Sequence, residues 1–306
     1  MGLTLALTGG TGFVGRHTLH AALAAGHRVR ALARRPQPEL AGCTWVAGDL
    51  ADRAALRRLV EGTDAVIHVA GVTNAADAAG FLAANVAGTR AMREAAAGLP
   101  FVHVSSLAAR EPALSIYGDS KRQAEDAVTA AAGRFAIVRP PAVYGPGDTE
   151  LLPMFRALRL GAIALPRGTR ASMIHVGDLG RALVALAADL AGPGRAAGGR
   201  FEIDDGSGGY PQAAIARAAA AAVGRRALVV EVPGGWLGAA AGAATLLAGF
   251  RGQLPKLSRD RARYLAHPDW TADCAPLLGL GLWQPGIGLQ EGMAATVAWY
   301  RASGWL

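Results

Sequence analysis

Cysteine is nearly absent: the 306-residue chain holds only Cys43 and Cys274. Two distant thiols supply neither metal-ligand spacing nor a disulfide framework, so a zinc-held or disulfide-held small domain is excluded, and the usage suits a reducing compartment. No basic segment precedes an apolar one at the start, because residues 1–7 run straight into a glycine loop. No signal peptide is read, and a cytoplasmic location is expected. A long basic tract is also missing. The net charge is +8 and the isoelectric point about 10.3. The arginines are nevertheless scattered, in pairs such as Arg34-Arg35, Arg57-Arg58 and Arg225-Arg226, with no nucleic-acid motif. Phosphorylated cofactors or acidic substrates are a better use of that charge than nucleic acid. A membrane-spanning run is lacking too. The uncharged stretch 232–250 includes Trp236, Leu237, Leu246 and Leu247 but is diluted by Pro233 and five glycines. A spanning helix needs about 20 strongly apolar residues. The stretch reads as a buried or interfacial helix, which leaves peripheral membrane contact open. No internal repeat is seen.

What is present is a globular composition, 52% apolar and rich in Ala and Gly, in a chain long enough for a substantial core. The first half alternates strand and helix patterns. Strands are expected at 3–7, 28–33, 45–47, 65–69, 101–104 and 135–139, and helices at 12–25, 53–61, 85–97 and 116–131. Short apolar strands alternating with helices predict an α/β fold, a doubly wound parallel sheet covered on both faces. After residue 147 the alternation loosens, with strands at 172–176 and 201–203, a helix at 178–190, and more helix than strand in the last hundred residues. Residues 1–165 are expected to form the dinucleotide-binding domain, taking in about 172–205 as well. Residues 166–306 would supply a smaller, mostly helical substrate lid.

Three features carry chemistry. Thr8-Gly9-Gly10-Thr11-Gly12-Phe13-Val14-Gly15 follows the first strand and opens a helix. Glycines let backbone approach a pyrophosphate, and the helix N-terminus faces the anion. Ser105-Ser106 ends the fifth strand, at the carboxyl edge where ligands bind in such sheets. Tyr117 and Lys121 share one helix face; a lysine charge favours tyrosinate and would lower the phenol pKa. At the adenosine end no acid occurs between the second strand and Glu39. Ala33 stands where a NAD-preferring site places its Asp or Glu, and Arg34, with Arg35, offers a partner for a 2′-phosphate. This favours NADP over NAD. The histidines at 17, 20 and 27 read as surface groups, and no zinc site is expected.

In this order the features resemble the short-chain dehydrogenase/reductase superfamily, and more closely its extended or atypical branch, the NAD-dependent epimerase/dehydratase family. Gly48-Asp49-Leu50, His68-Val69-Ala70-Gly71, Asn85-Val86-Ala87-Gly88-Thr89, Arg139 to Gly147 and Ile174-His175-Val176-Gly177-Asp178 agree. The resemblance implies a Rossmann-like fold with Tyr117 as general acid/base. Lys121 would sit on the nicotinamide ribose, and Ser106, with Ser105 second, would orient the substrate. It implies a cofactor held by Gly9, Thr11, Gly12, Phe13, Val14, Asp49, Leu50, Ala70, Gly71, Lys121, Pro140, Ala142 and Val143, and a homodimer packed through the Tyr117 helix. One departure is the short stretch between Ser106 and Tyr117, which weakens transfer of a sugar-nucleotide substrate. The leading expectation is an NADP(H)-dependent oxidoreductase acting on a small-molecule carbonyl or alcohol. A sugar-nucleotide epimerase or dehydratase with retained NAD is the first alternative, and a non-enzymatic nucleotide-binding subunit the second.

Overall fold

The computed structural model describes residues 2–233, 263–264 and 267–306. In chain order the strands are β1 (Thr4–Thr8), β2 (Arg28–Ala33), β3 (Cys43–Ala47), β4 (Ala65–His68), β5 (Phe101–Val104), β6 (Phe135–Arg139), β7 (Ala142–Tyr144), β8 (Ala162–Pro166), β9 (Arg170–Ala171), β10 (Met173–His175), β11 (Gly199–Glu202), β12 (Tyr210–Pro211), β13 (Leu228–Val232) and β14 (Asp269–Trp270). The helices are α1 (Phe13–Ala24), α2 (Arg53–Val60), α3 (Ala78–Phe81), α4 (Gly88–Ala95), α5 (Ile116–Thr129), α6 (Leu152–Arg159), α7 (Val176–Ala191), α8 (Gln212–Val223), α9 (Ala275–Leu278) and α10 (Leu289–Ala302). Seven strands form one sheet in the order β11-β6-β5-β4-β1-β2-β3, every pair parallel.

Side chains alternate across a strand, and here both faces are apolar. Leu5, Leu7, Ile67, Val102 and Val138 meet Leu19 of α1 and Leu179, Leu183 and Leu186 of α7. On the other face Ala6, Leu32, Val66, Phe101 and Ile137 meet Leu56 and Leu59 of α2, Met92 of α4 and Val128 of α5. A sheet buried on both sides explains why the strands read as continuous apolar runs. A separate core joins α6, α8 and α10 around Phe155, Ile215, Met293 and Tyr300. The small sheets β12-β9-β14 and β13-β8 lie beside this second core.

Three of the differences from the expected boundaries have a local cause. β3 starts at Cys43 because the ladder with β2 begins at Val29↔Cys43. The expected helix 85–97 is the tail of a longer element. Asp77 caps α3 through Gly80 N, and a π-helical segment, Leu82–Ala87, joins it to α4. Val176 belongs to α7, whose first turn His175 caps by accepting from Gly177 N. The uncharged stretch 232–250 lies, beyond Pro233, outside the described residues.

α5 is tied to the sheet by one buried acid. Glu125 Oε1 accepts from Ser105 Oγ at 2.6 Å and from Arg139 Nε at 2.8 Å. Its Oε2 accepts from Arg139 Nη2 at 2.7 Å and from Arg200 Nε at 2.9 Å. Helix α5 is thereby joined to the end of β5, to β6 and to β11. Removing one partner of a buried pair leaves the other charge uncompensated. Glu125→Ala is expected to lower unfolding stability by about 3–5 kcal/mol, read from the urea midpoint. A change below about 1 kcal/mol would show that water replaces the carboxylate.

Candidate active site

The turn after β1 is shaped for close approach. Gly9 has φ +75°, and a Cβ there would lie 2.8 Å from Ala70 N. A Cβ on Gly15 would overlap the Gly9 carbonyl. The following helix has Gly12 as its N-cap, with no side-chain cap and no acid in its first turn. The first N–H groups of a helix have no intrahelical partner. Those at Phe13 and Val14, beside exposed Thr11, therefore face an opening that fits a pyrophosphate. Phe13 reaches the loop after β7, 3.8 Å from a Cβ built on Gly147. His17, expected at the surface, is half-buried and bonds Pro146 O through Nε2 at 2.9 Å. His27 Nδ1 likewise accepts from Leu3 N, so its ring holds the start of β1.

Beneath this turn runs a chain of buried hydrogen bonds whose direction follows from proton counting. Thr89 Oγ1 gives its only proton to Asn85 O at 2.6 Å, so it accepts from His68 Nε2 at 3.1 Å. Burial lowers the His68 pKa to about 3. The ring is neutral, and Nδ1 accepts from Thr8 Oγ1 at 2.7 Å. Thr8 Oγ1 in turn accepts from Ala70 N. Asn85, within the π-helical segment, accepts from Val72 N at 2.8 Å and donates to Val72 O and Ser120 Oγ. Ser120 Oγ closes the path on Tyr117 O. His103 stacks on His68 at 5.5 Å, its pKa held well below the usual value by burial and the nearby Lys121 charge.

Ser106, Tyr117 and Lys121 gather at the other end of that path. Ser115 caps α5 by accepting from Gly118 N, and a Cβ on Gly118 would sit 2.7 Å from Ala108 O. The helix thus begins hard against the segment after Ser106. The Tyr117 phenol is hydrogen-bonded to Ser106, and its pKa is raised, chiefly by burial, with the Ser106 bond opposing. Against the expectation of a lowered phenol pKa, burial and, after the opposing Ser106 bond, the Glu150 charge favour the protonated phenol. Lys121 Nζ donates to Val104 O at 2.7 Å and lies 3.7 Å from a Cβ built on Gly71. Burial lowers the Lys121 pKa to about 8, with Glu125 opposing. Ser105 is spent on Glu125, leaving Ser106 as the hydroxyl facing Tyr117.

The structure thus brings Gly9, Ala70, Gly71, Ser106, Tyr117 and Lys121 around one edge of the sheet. Pro140 joins them by accepting from Leu107 N; exposed Ala142 and half-buried Val143 follow on β7. Arg34 and Arg35 stand apart, exposed beyond buried Ala33 at the end of β2, and neither forms an ion pair among the described residues. Asp49 caps its own turn through Ala51 N and Asp52 N, and Leu50 packs on Gly88. Sequence reasoning missed Asn85 as a bridge and Glu125 as an anchor. Glu125 stands four residues after Lys121, the same-face spacing already used for Tyr117 and Lys121. The short 107–115 connection forms two 3₁₀ turns, Leu107–Arg110 and Pro112–Leu114. Leu107 packs on Trp270, while Arg110 bonds Thr271 O and Asp269 O, docking β14 here. Trp283 belongs to the main core.

The sequence profile of the NAD dependent epimerase/dehydratase family matches residues 5–197. A ceramide reductase of Caulobacter vibrioides is 40% identical, covering 99% of this chain and 96% of its own length. A 2-alkyl-3-oxoalkanoate reductase of Stenotrophomonas maltophilia is 28% identical over 95% of this chain and 97% of its own. Among solved structures, MoeE5 in complex with UDP-glucose and NAD superposes with a TM-score of 0.74 at 24% identity, covering 99% of each chain. That last likeness bears on the fold alone.

The chain has two lysines, Lys121 and Lys256, so Lys121 can be watched directly. With [ε-13C]lysine, one Cε resonance is expected to titrate near pH 8 and to vanish in Lys121→Met. The unfolded chain keeps its proton to about pH 10.4. Burial of Lys121 therefore costs stability below pH 8, and stability recovers as the pH rises from there. A midpoint above 10 would contradict the burial seen here.

Proposed function

The chain belongs to the NAD dependent epimerase/dehydratase family, and from that premise we propose that it is an NADPH-dependent reductase converting a ketone on an aliphatic lipid to the alcohol. The observation that carries the reading is the Tyr117 phenol hydrogen-bonded to Ser106, with Lys121 one turn further along the same helix. Besides Ser106 and the Glu150 charge, the phenol has apolar neighbours. The Phe81 ring lies 6.1 Å from that of Tyr117, and Leu82 and Ile116 are exposed beside these two residues. The names of the Caulobacter and Stenotrophomonas relatives, ceramide reductase and 2-alkyl-3-oxoalkanoate reductase, point to the same substrate chemistry.

The glycine turn and the α1 N-terminus fit a pyrophosphate, and Lys121 beside Gly71 fits a ribose. The bound nicotinamide would supply the hydride. Ser106 holds the substrate oxygen, and Tyr117 donates the proton that completes the hydroxyl. Lys121 contributes positive charge that offsets the tyrosinate left behind. Arg34 and Arg35 take the 2′-phosphate, for which buried Ala33 leaves room. The short 107–115 connection and the missing acid after β2 weigh against a sugar-nucleotide epimerase. The reading extends to a homodimer through α4 and α5.

Fluorescence titration is expected to show NADPH binding more tightly than NADH, with Arg34→Ala removing about tenfold of the preference. Tyr117→Phe is expected to cut turnover of a detergent-dispersed lipid ketone by about 10²–10⁴ while NADPH binding is kept. NADH preference would overturn the cofactor assignment, and undiminished turnover in Tyr117→Phe would overturn the role of the phenol.

A further inference from the structure

Three of the five most exposed large hydrophobic side chains among the described residues stand together, far in sequence from Tyr117: Leu160 at 90%, Leu228 at 65% and Val230 at 42%. Leu160 ends α6, and Gly161, at φ +95°, turns the chain into β8. β13 pairs parallel with β8, Leu228 opposite Ala162 and Val230 opposite Ala164. Leu228 N donates to Gly161 O at 2.8 Å, which brings Leu160 beside Leu228. By strand alternation Leu228, Val230, Ala162 and Ala164 share one face, and all four are exposed. Ile163, on the opposite face, packs into the α6–α8–α10 core. Isolated exposed leucines need no explanation, but a contiguous apolar face does.

Among the described residues that flank this face in sequence, the charges are arginines. Arg159 precedes Leu160, and Arg225 and Arg226 lead into β13; all three are exposed. Their side chains form no ion pair among the described residues. The nearest acid in sequence, Glu231, alternates to the other face with Val229. A second copy docked face to face would set these arginines against their own equivalents, since an isologous contact pairs a patch with itself. An anionic surface complements them. In sequence, β13 leads on into the uncharged stretch 232–250.

We propose that this face rests on an anionic lipid bilayer. Leu160, Leu228 and Val230 enter the boundary between headgroups and acyl chains. Arg159, Arg225 and Arg226 lie among the lipid phosphates. The enzyme is thereby held at the membrane that contains its substrate, a purpose that rests on the lipid-ketone reading above.

Flotation of the full-length protein with phosphatidylglycerol/phosphatidylethanolamine vesicles, beside pure phosphatidylcholine vesicles, tests this. Binding is expected to the anionic vesicles only. It is expected to be lost in the Leu160→Glu/Leu228→Glu double variant and weakened about fivefold for each arginine removed in Arg225→Ala/Arg226→Ala. Both leucines are exposed, so thermal melts should match wild type and separate lost binding from lost folding. No flotation, or flotation unchanged in the leucine variant, overturns the proposal. So does a concentration-dependent dimer that the leucine variant abolishes while vesicles are ignored. Turnover of a ketone dispersed in detergent separates the two readings. If wild type floats but reduces no lipid ketone, the substrate assignment fails and the surface stands. If it reduces the dispersed ketone without floating, the surface alone fails.

Discussion

The geometry of the site depends on a neutral histidine in the middle of the sheet. His68 accepts from Thr8 on one side and donates to Thr89 on the other, so a single tautomer joins the ends of β1 and β4 to α4. The same path continues through Asn85 and Ser120 to the backbone carbonyl of Tyr117. The glycine turn and the phenol, which lie more than a hundred residues apart in sequence, are thus set by one run of mostly buried bonds. Protonating His68 would leave Nδ1 with a proton and Thr8 with no acceptor for its own. Burial that drives the pKa to about 3 keeps the direction of the run unambiguous. In a low-dielectric interior such a network specifies one arrangement, because each unmade bond is costly.

A second constraint sits one helical turn behind Lys121. Desolvation works against the lysine charge, and Glu125 works for it. Glu125 tolerates complete burial only because Ser105, Arg139 and Arg200 surround it. The cluster that holds α5 against β6 and β11 is therefore also part of the electrostatic environment of Lys121. Stability and site chemistry share residues here, and a substitution in the cluster acts on both. The raised phenol pKa follows from the same dryness. It keeps Tyr117 in its protonated form at neutral pH.

The parallel sheet, the glycine turn and the Tyr117–Lys121 face were legible in the sequence because each rests on local periodicity. Apolar runs, a strand-to-helix glycine turn and a four-residue spacing need no knowledge of distant partners. The Thr8–His68–Thr89 run was not legible, since its members are 60 and 21 residues apart and polar residues at strand ends have many uses. The extended helix from Ala78 was hidden by its π-helical segment, which breaks the 3.6-residue period near Asn85. The choice between Ser105 and Ser106 stayed open for a similar reason. Adjacent strand residues point to opposite faces, and only the tertiary position of Glu125 decides which hydroxyl is already spent.

The arginines that look scattered in sequence fall into groups once the chain is folded. Arg139 and Arg200 neutralise a buried acid, and Arg110 ties the connection after Ser106 to β14. Arg34 and Arg35 stand exposed beside the proposed 2′-phosphate site, while Arg159, Arg225 and Arg226 surround an apolar face. The first group is satisfied within the protein. The other two lack ion-pair partners among the described residues and stand on different parts of the molecule. In the proposed reading these two exposed groups face separate anions, a phosphorylated cofactor at one and a lipid surface at the other, and the proposed chemistry requires both.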